Sequence, residues 1–272
     1  MRVDKRLILK YSILSVVIIV MVGPLIWMIS TSLKESTRIF TQFFPNPIRW
    51  ENYKEVLGQV TFLKQYWNSI YIAILVTVLV LIFSSMAGYA FARIEFPGNN
   101  FLFLLFLSVM MIPPEVTIIP LFLLMRDFGL INTHLPLILL PVFGAPSAFG
   151  VFLMRQFFIT VPLELEEAAV MDGCSKFRIF IQIMIPLAVP SLATLTIFTF
   201  ITNWDEFLYP LIFIDSRELM TLPVGLALFT DEAGTAWHHL MSATTLATLP
   251  LLFVFFFAQR KFIEGMLAGS IK

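Results

Sequence analysis

The stretch Val161-Pro162-Leu163-Glu164-Leu165-Glu166-Glu167-Ala168-Ala169-Val170-Met171-Asp172-Gly173 carries the strongest signal in this chain. Pro162 suits the first turn of a helix, where its missing N–H costs nothing. Glu164, Glu166 and Glu167 lie near the positive end of the helix dipole. Gly173 follows about three turns later, where a helix stop belongs. A second helical segment, Ser175–Gln182, then leads to Pro186 and Pro190. The sequence therefore predicts a short helix lodged between two long apolar runs.

Those runs set the class. The chain has 272 residues, 58% of them hydrophobic and 13% charged, with a mean hydropathy of +0.88. A soluble domain of this length needs far more charge to cover its surface. Six runs are long enough for a bilayer, which takes ~20 residues. They are roughly Tyr11–Leu33, Ile70–Ala92, Phe101–Met125, Leu135–Met154, Ile181–Thr202 and Leu240–Ala258. Glu115 is the one charged residue inside them. The first run follows a basic start (Arg2, Lys5, Arg6, Lys10) but exceeds the ~7–15 residues of a signal-peptide core, so it reads as a retained helix. Formal net charge is zero, which offers nucleic acid no basic field. Cys174 is the only cysteine, so no disulfide can form within the chain.

Lys and Arg set the expected orientation. With the N-terminus inside, segments 1–10, 93–100, 155–180 and 259–272 hold 11 basic residues in 58 positions. The opposite segments 34–66, 126–134 and 205–238 hold 7 in 76. Both termini are thus expected in the cytoplasm. The outer loop 34–66 contains Trp50–Leu57, which reads as a short surface helix. The outer loop 205–238 contains Leu219–Phe229, too short to span and so interfacial or re-entrant. It ends in a polar tip, Thr230–Thr235, with turn chemistry.

Two readings of the 155–180 loop follow from its residues. One is a helix that fills a groove on a soluble partner: alanines allow close approach, a glutamate pairs with an arginine, and glycine lets the backbone turn. The other is an amphipathic helix resting on lipid. Acidic residues suit an anionic leaflet poorly.

Glu167-Ala168-Ala169, then Gly173, then Ile183-Met184-Ile185-Pro186, resembles the EAA loop of binding-protein-dependent ABC importer permeases. Most of the chain is similar to the carbohydrate-uptake permeases of the maltose type. The matching residues are Asn52-Tyr53, Asn68-Ser69, Gly88-Tyr89-Ala90-Phe91-Ala92-Arg93, Phe96-Pro97-Gly98, Met111-Ile112-Pro113, Asn203-Trp204, Leu222-Pro223-Val224-Gly225-Leu226 and Gln259 with Gly265 and Gly269. Its short N-terminal region and its tail look like the six-span G-type partner rather than the longer F-type one.

The resemblance implies an all-α membrane protein: one permease domain over 1–272 with six transmembrane helices, the type I ABC importer fold and a cytoplasmic coupling helix. It implies a bacterial or archaeal cytoplasmic membrane. The implied partners are a homologous permease in a heterodimer, an ATPase dimer and an extracytoplasmic solute-binding protein. Catalytic residues and a cofactor are not implied; ATP and Mg belong to the ATPase, and the sequence has no G-x-x-x-x-G-K-[ST] phosphate loop of its own. Glu167, Ala168, Ala169, Asp172 and Gly173 would form the ATPase contact, with Glu167 paired to an ATPase arginine. Asp231, Glu232 and Gly234 match by position a loop that reaches into the binding protein; the alternative is a solvated turn. Gly265, Gly269 and Lys272 match a tail that reaches the ATPases; the alternative is a frayed terminus.

The translocation path is sought among intramembrane polar groups. Glu115 follows Pro113-Pro114, which should kink its helix, and an acid at that depth is either functional or pinned between helices. Asn203, Trp204, Asp205 and Glu206 combine polar partners with an aromatic face, as sugars require, or else form an interfacial Trp beside solvated acids. His134, His238 and His239 come with no metal-ligand spacing, so no metal is assigned. The expected function is import of a sugar or oligosaccharide. The alternatives are a permease of the same type for a non-sugar solute such as glycerol phosphate, and an ion-coupled secondary transporter using Glu115. A membrane-embedded enzyme would need a nucleophile–base pair or metal set, and none is seen.

Overall fold

A computed structural model describes residues 5–231 and 234–270. Helices dominate it, in the order α1 (Lys5–Ser32), α2 (Glu51–Leu57), α3 (Val60–Arg93), α4 (Asn99–Ser108), α5 (Pro114–Asp127), α6 (Leu135–Phe143) and α7 (Ala145–Thr160). Then follow α8 (Leu163–Met171), α9 (Lys176–Ile179), α10 (Ile185–Leu187), α11 (Val189–Trp204), α12 (Leu208–Phe213) and α13 (Leu222–Ala227). Two strands, β1 (Thr230–Asp231) and β2 (Gly234–Thr235), pair antiparallel before α14 (Trp237–Ser270).

Among the described residues four helical stretches are long and apolar enough to cross a bilayer: Leu9–Ser32, Val60–Arg93, Leu135–Thr160 and Trp237–Phe257. The third and fifth expected spans are not straight. The segment Asn99–Met111 meets α5 at 99°, and Lys176–Leu187 meets α11 at 76°. Only if each bent pair counts as one span does the number rise to six. The first break has a local cause. Ile112 precedes Pro113 and takes extended angles (φ −88°, ψ 116°), because proline excludes its predecessor from the helical region. Pro114 then opens α5 at a position that needs no N–H donor. The second break follows a π-helical turn over Phe180–Met184 and falls at Ala188, just before Pro190 in the first turn of α11.

The chain divides into two compact units. The first comprises Met1–Leu63 and Gly225–Leu249. Its polar centre is the end of α1, whose last carbonyls have no partner within the helix. Asn52 on α2 supplies partners: its Nδ2 donates to the carbonyls of Ser32 (2.8 Å) and Lys34 (2.9 Å). The Ser242 hydroxyl donates to the same Ser32 carbonyl at 3.0 Å. The Ser32 and Tyr53 hydroxyls lie 2.6 Å apart. Lys34 is 1% exposed with its ammonium on the Ile39 carbonyl, and burial pushes its pKa down. His239 holds Glu55 at 2.6 Å, and that hydrogen bond keeps the Glu55 carboxyl below its usual range.

The second unit comprises Lys64–Val224 and Pro250–Lys272. Here α3 and α7 approach closely at Gly88. A Cβ on Gly88 would stand 2.7 Å from Met154 Cβ and 2.9 Å from the Arg155 nitrogen. Small residues at a contact let two backbones pack tightly where lipid offers no hydrophobic drive. Around this contact lies a buried cluster that includes Tyr89, Met154, Phe158, Ala169, Phe180 and Leu195. At the other end of α3, Asn68 Nδ2 donates to the carbonyls of Glu218 (2.9 Å) and Met220 (3.0 Å). The Leu222 N–H donates to the Ser69 hydroxyl at 2.8 Å. Gln65 reaches the Arg217 carbonyl at 3.3 Å. The segment 217–222 is thereby fastened to α3.

Candidate functional site

The loop that follows α7 folds as a nine-residue helix, α8, with Pro162 just outside its start. Its end is a double hydrogen-bond stop: the Gly173 N–H donates to Val170 O (2.9 Å) and the Cys174 N–H to Ala169 O (2.9 Å). Gly173 itself takes φ 81°, a left-handed angle that a residue with a Cβ adopts only at a cost. The helix is two-sided. Ala169 is 7% exposed, and Glu166, one turn earlier, faces the same way. Glu167, Ala168 and Asp172 are exposed. Around them lie the exposed apolar side chains of Leu163, Val170, Met171 and, from α9, Phe177. The face therefore combines carboxylates with uncovered hydrophobic surface, which is unusual for a surface exposed to water alone.

The buried side of α8 holds a cluster that the sequence reading did not assign. Arg93 Nε lies 2.7 Å from Glu166 Oε1, with the two side chains 9% and 14% exposed. The Tyr89 hydroxyl donates to Glu166 Oε2 at 3.1 Å. A second Arg93 nitrogen donates to the Val161 carbonyl at the threshold of α8. Tyr89 in turn packs on Phe158 and Phe180, with ring centroids 5.7 and 5.2 Å away. The signal was available: Glu166 and Ala169 stand three apart, hence on one helix face, and Arg93 closes α3.

A cavity of about 840 Å³ opens beside the bend between α4 and α5. Its polar lining is Glu115, Thr117, Thr202, Asn203, Glu206 and Tyr209; the rest is apolar. Glu115 and Asn203, expected on a path, thus both line one cavity. Asn203 spends its amide N–H on the Thr199 carbonyl (2.8 Å). Glu206 Oε1 accepts from the Leu208 (2.9 Å) and Tyr209 (3.0 Å) N–H groups, satisfying orphan donors of α12. Burial, with Glu206 and Glu115 nearby, pushes the Tyr209 phenol pKa up. The lining contains no Lys, Arg or His.

Two expected path residues do not join it. Trp204 is 3% exposed, stacked on Phe200 at 5.8 Å and edge-on to Tyr66. No face of its indole is open to a sugar ring; it packs because α11 turns it inward. Asp205 is exposed but stands off the cavity wall. At the outer tip, Asp231 and Gly234 pair in the short hairpin, while Glu232 lies outside the described residues. Gly265 and Gly269 fall on the last turns of α14, and Lys272 lies outside the described residues. His134 is occupied structurally, between Tyr71 and the Leu219 carbonyl (2.6 Å). Among the described residues no group of acids, histidines or cysteine is arranged to hold a metal ion.

A chain with several apolar helices, two bent helix pairs, a two-faced helix between them and a largely apolar cavity has the parts that a membrane transport component needs. Residues 81–267 match the family model of the binding-protein-dependent transport system inner membrane component. The chain belongs to that family. It is 38% identical to the arabinooligosaccharides transport system permease protein AraQ of Halalkalibacterium halodurans, over 92% of this chain and 91% of that one. It is 33% identical to the sn-glycerol-3-phosphate transport system permease protein UgpE of Brucella abortus, over 95% of each. Among solved structures it is similar to a bacterial ABC transporter involved in the import of the acidic polysaccharide alginate, with a TM-score of 0.84, 25% identity, and 96% and 98% of the two chains covered.

Proposed function

We infer that this chain is the transmembrane permease subunit of an ATP-driven, binding-protein-dependent importer whose cargo is a sugar or oligosaccharide. It performs no covalent chemistry. Energy enters through α8, which docks in a cleft of a separate ATPase subunit. Glu167 pairs there with a basic residue; Ala168 and Ala169 allow close approach, and Gly173 turns the backbone away from the contact. ATP-driven closure of two ATPases draws this helix and its counterpart on a homologous permease together, and the pore opens outward. In this reading both termini and α8 lie in the cytoplasm.

The observation that carries the reading is the two-sidedness of α8: Glu166 is held inward by Arg93, while Glu167 stands exposed among uncovered apolar side chains. Lipid alone would not draw a carboxylate to that face. The test is Glu167→Lys. The variant should insert normally yet lose the ATPase on co-purification and lose transport-coupled ATP hydrolysis. Full coupling in the variant would contradict docking at α8.

The cargo is read from the cavity and from relatives. A phosphate or uronate needs a cation to offset its desolvation. The cavity instead offers Glu115, Glu206, an amide and a phenol, a set that hydrogen-bonds hydroxyl groups. This supports an uncharged saccharide over glycerol phosphate, despite the similarity to a glycerol-phosphate permease.

A further inference from the structure

We propose that α3 is a push rod: it is clamped to α8 at one end by Arg93 and Tyr89, and to the segment 217–222 at the other by Gln65, Asn68 and Ser69. The proposal rests on the reading that α8 receives the ATPase stroke.

Four observations carry it. First, α8 is gripped at two points by one residue, since Arg93 reaches both Glu166 and the carbonyl of Val161. A displacement of α8 cannot leave α3 behind without separating a buried ion pair, which strands charge away from water. Second, α3 is a single unbroken helix of 34 residues with no internal proline, whereas α1 contains Pro24 and α14 contains Pro250. Prolines supply the usual points of bending, and α3 has none. Third, from Gln65 to Arg93 the helix runs ~42 Å at 1.5 Å per residue, enough to cross a bilayer. Fourth, the far end holds 217–222 through four hydrogen bonds to backbone groups, made by three side chains spaced three and four apart or adjacent on the helix. Backbone groups held this way move with the side chains that hold them.

The chain of contacts is thus continuous from α8, through the Glu166–Arg93 pair and the rigid body of α3, to a segment a membrane's width away. The same contacts explain why polar residues stand at both ends of an otherwise apolar helix. Arg93, Tyr89 and Asn68 are positioning residues, and none of them lines the cavity.

The test uses the complete transporter reconstituted in vesicles, and reads cargo moved per ATP hydrolysed alongside ATPase co-purification. Arg93→Gln and Glu166→Gln should each lower cargo per ATP by at least ~tenfold while the ATPase remains bound, as expected when a largely buried ion pair loses one of its charges. The double variant should lose little more than Arg93→Gln alone, because the pair with Glu166 is already broken there. Asn68→Ala, at the opposite end, should lower the same ratio. Arg93→Lys, which keeps the charge, should restore part of it. If Arg93→Gln fails to assemble, Tyr89→Phe, which removes one hydroxyl, should still lower the ratio severalfold. Normal cargo per ATP in the assembled Arg93→Gln, Tyr89→Phe and Asn68→Ala transporters would overturn the rod, while Glu167→Lys still uncouples. Full coupling in Glu167→Lys would instead remove the docking reading, and the rod with it.

Discussion

Glu166 and Glu167 are adjacent, yet one is spoken for and the other is free to meet a partner. The helical turn decides this: ~100° per residue sends Glu166 toward Arg93 and Glu167 outward. The sequence made the cluster of acids visible, but not which of them faced in, because that depended on where α3 ended. Glu115 shows the converse. The double proline before it foretold a kink, and the chain bends by 99° there. What the sequence did not convey was its company, since Asn203, Glu206 and Tyr209 come from ~90 residues away and meet it only through the fold of the second unit. Replacing Glu115 by Gln keeps the shape and removes the charge. Initial uptake rates should change severalfold while the melting temperature in detergent stays within a few degrees, about what a neutral surface change gives. Unchanged uptake would return Glu115 to a packing role.

At the scale of elements, long apolar runs announced α1, α3 and α14 correctly, because hydropathy reports only transfer from water to lipid. The third and fifth runs carried the same hydropathy but break into two segments each, because proline geometry acts locally and hydropathy does not see it. Short motifs quoted for their resemblance proved to have mechanical content. Asn52 satisfies the end of α1, and Asn68 with Ser69 fastens 217–222. Gly88 marks a close backbone approach of α3 to α7. Gly88→Val should therefore push these helices apart and destabilise the second unit by ~1–3 kcal/mol, the usual cost of overpacking. Thermal unfolding in detergent checks this; a variant as stable as the parent would mean the contact yields freely.

For the whole molecule, the membrane class and the family were legible because both rest on patterns spread along the chain. The cavity, the inward clamp and the role of Trp204 were not, because each depends on residues far apart in sequence. In the function proposed for this chain, α8 takes up the ATPase stroke and the bent helices lie beside the cavity that cargo would pass. A transporter built this way draws on ATP held by another subunit and owes nothing to an ion gradient. Its rival, with Glu115 as a proton relay, draws on the gradient alone. The most direct measurement is uptake of labelled oligosaccharide by vesicles containing the complete transporter and its binding protein, with ATP on the ATPase side, in the presence and absence of an uncoupler. Uptake should require ATP, be lost in Glu167→Lys and survive the uncoupler. Uptake that proceeds without ATP and collapses with the uncoupler would contradict the proposed function.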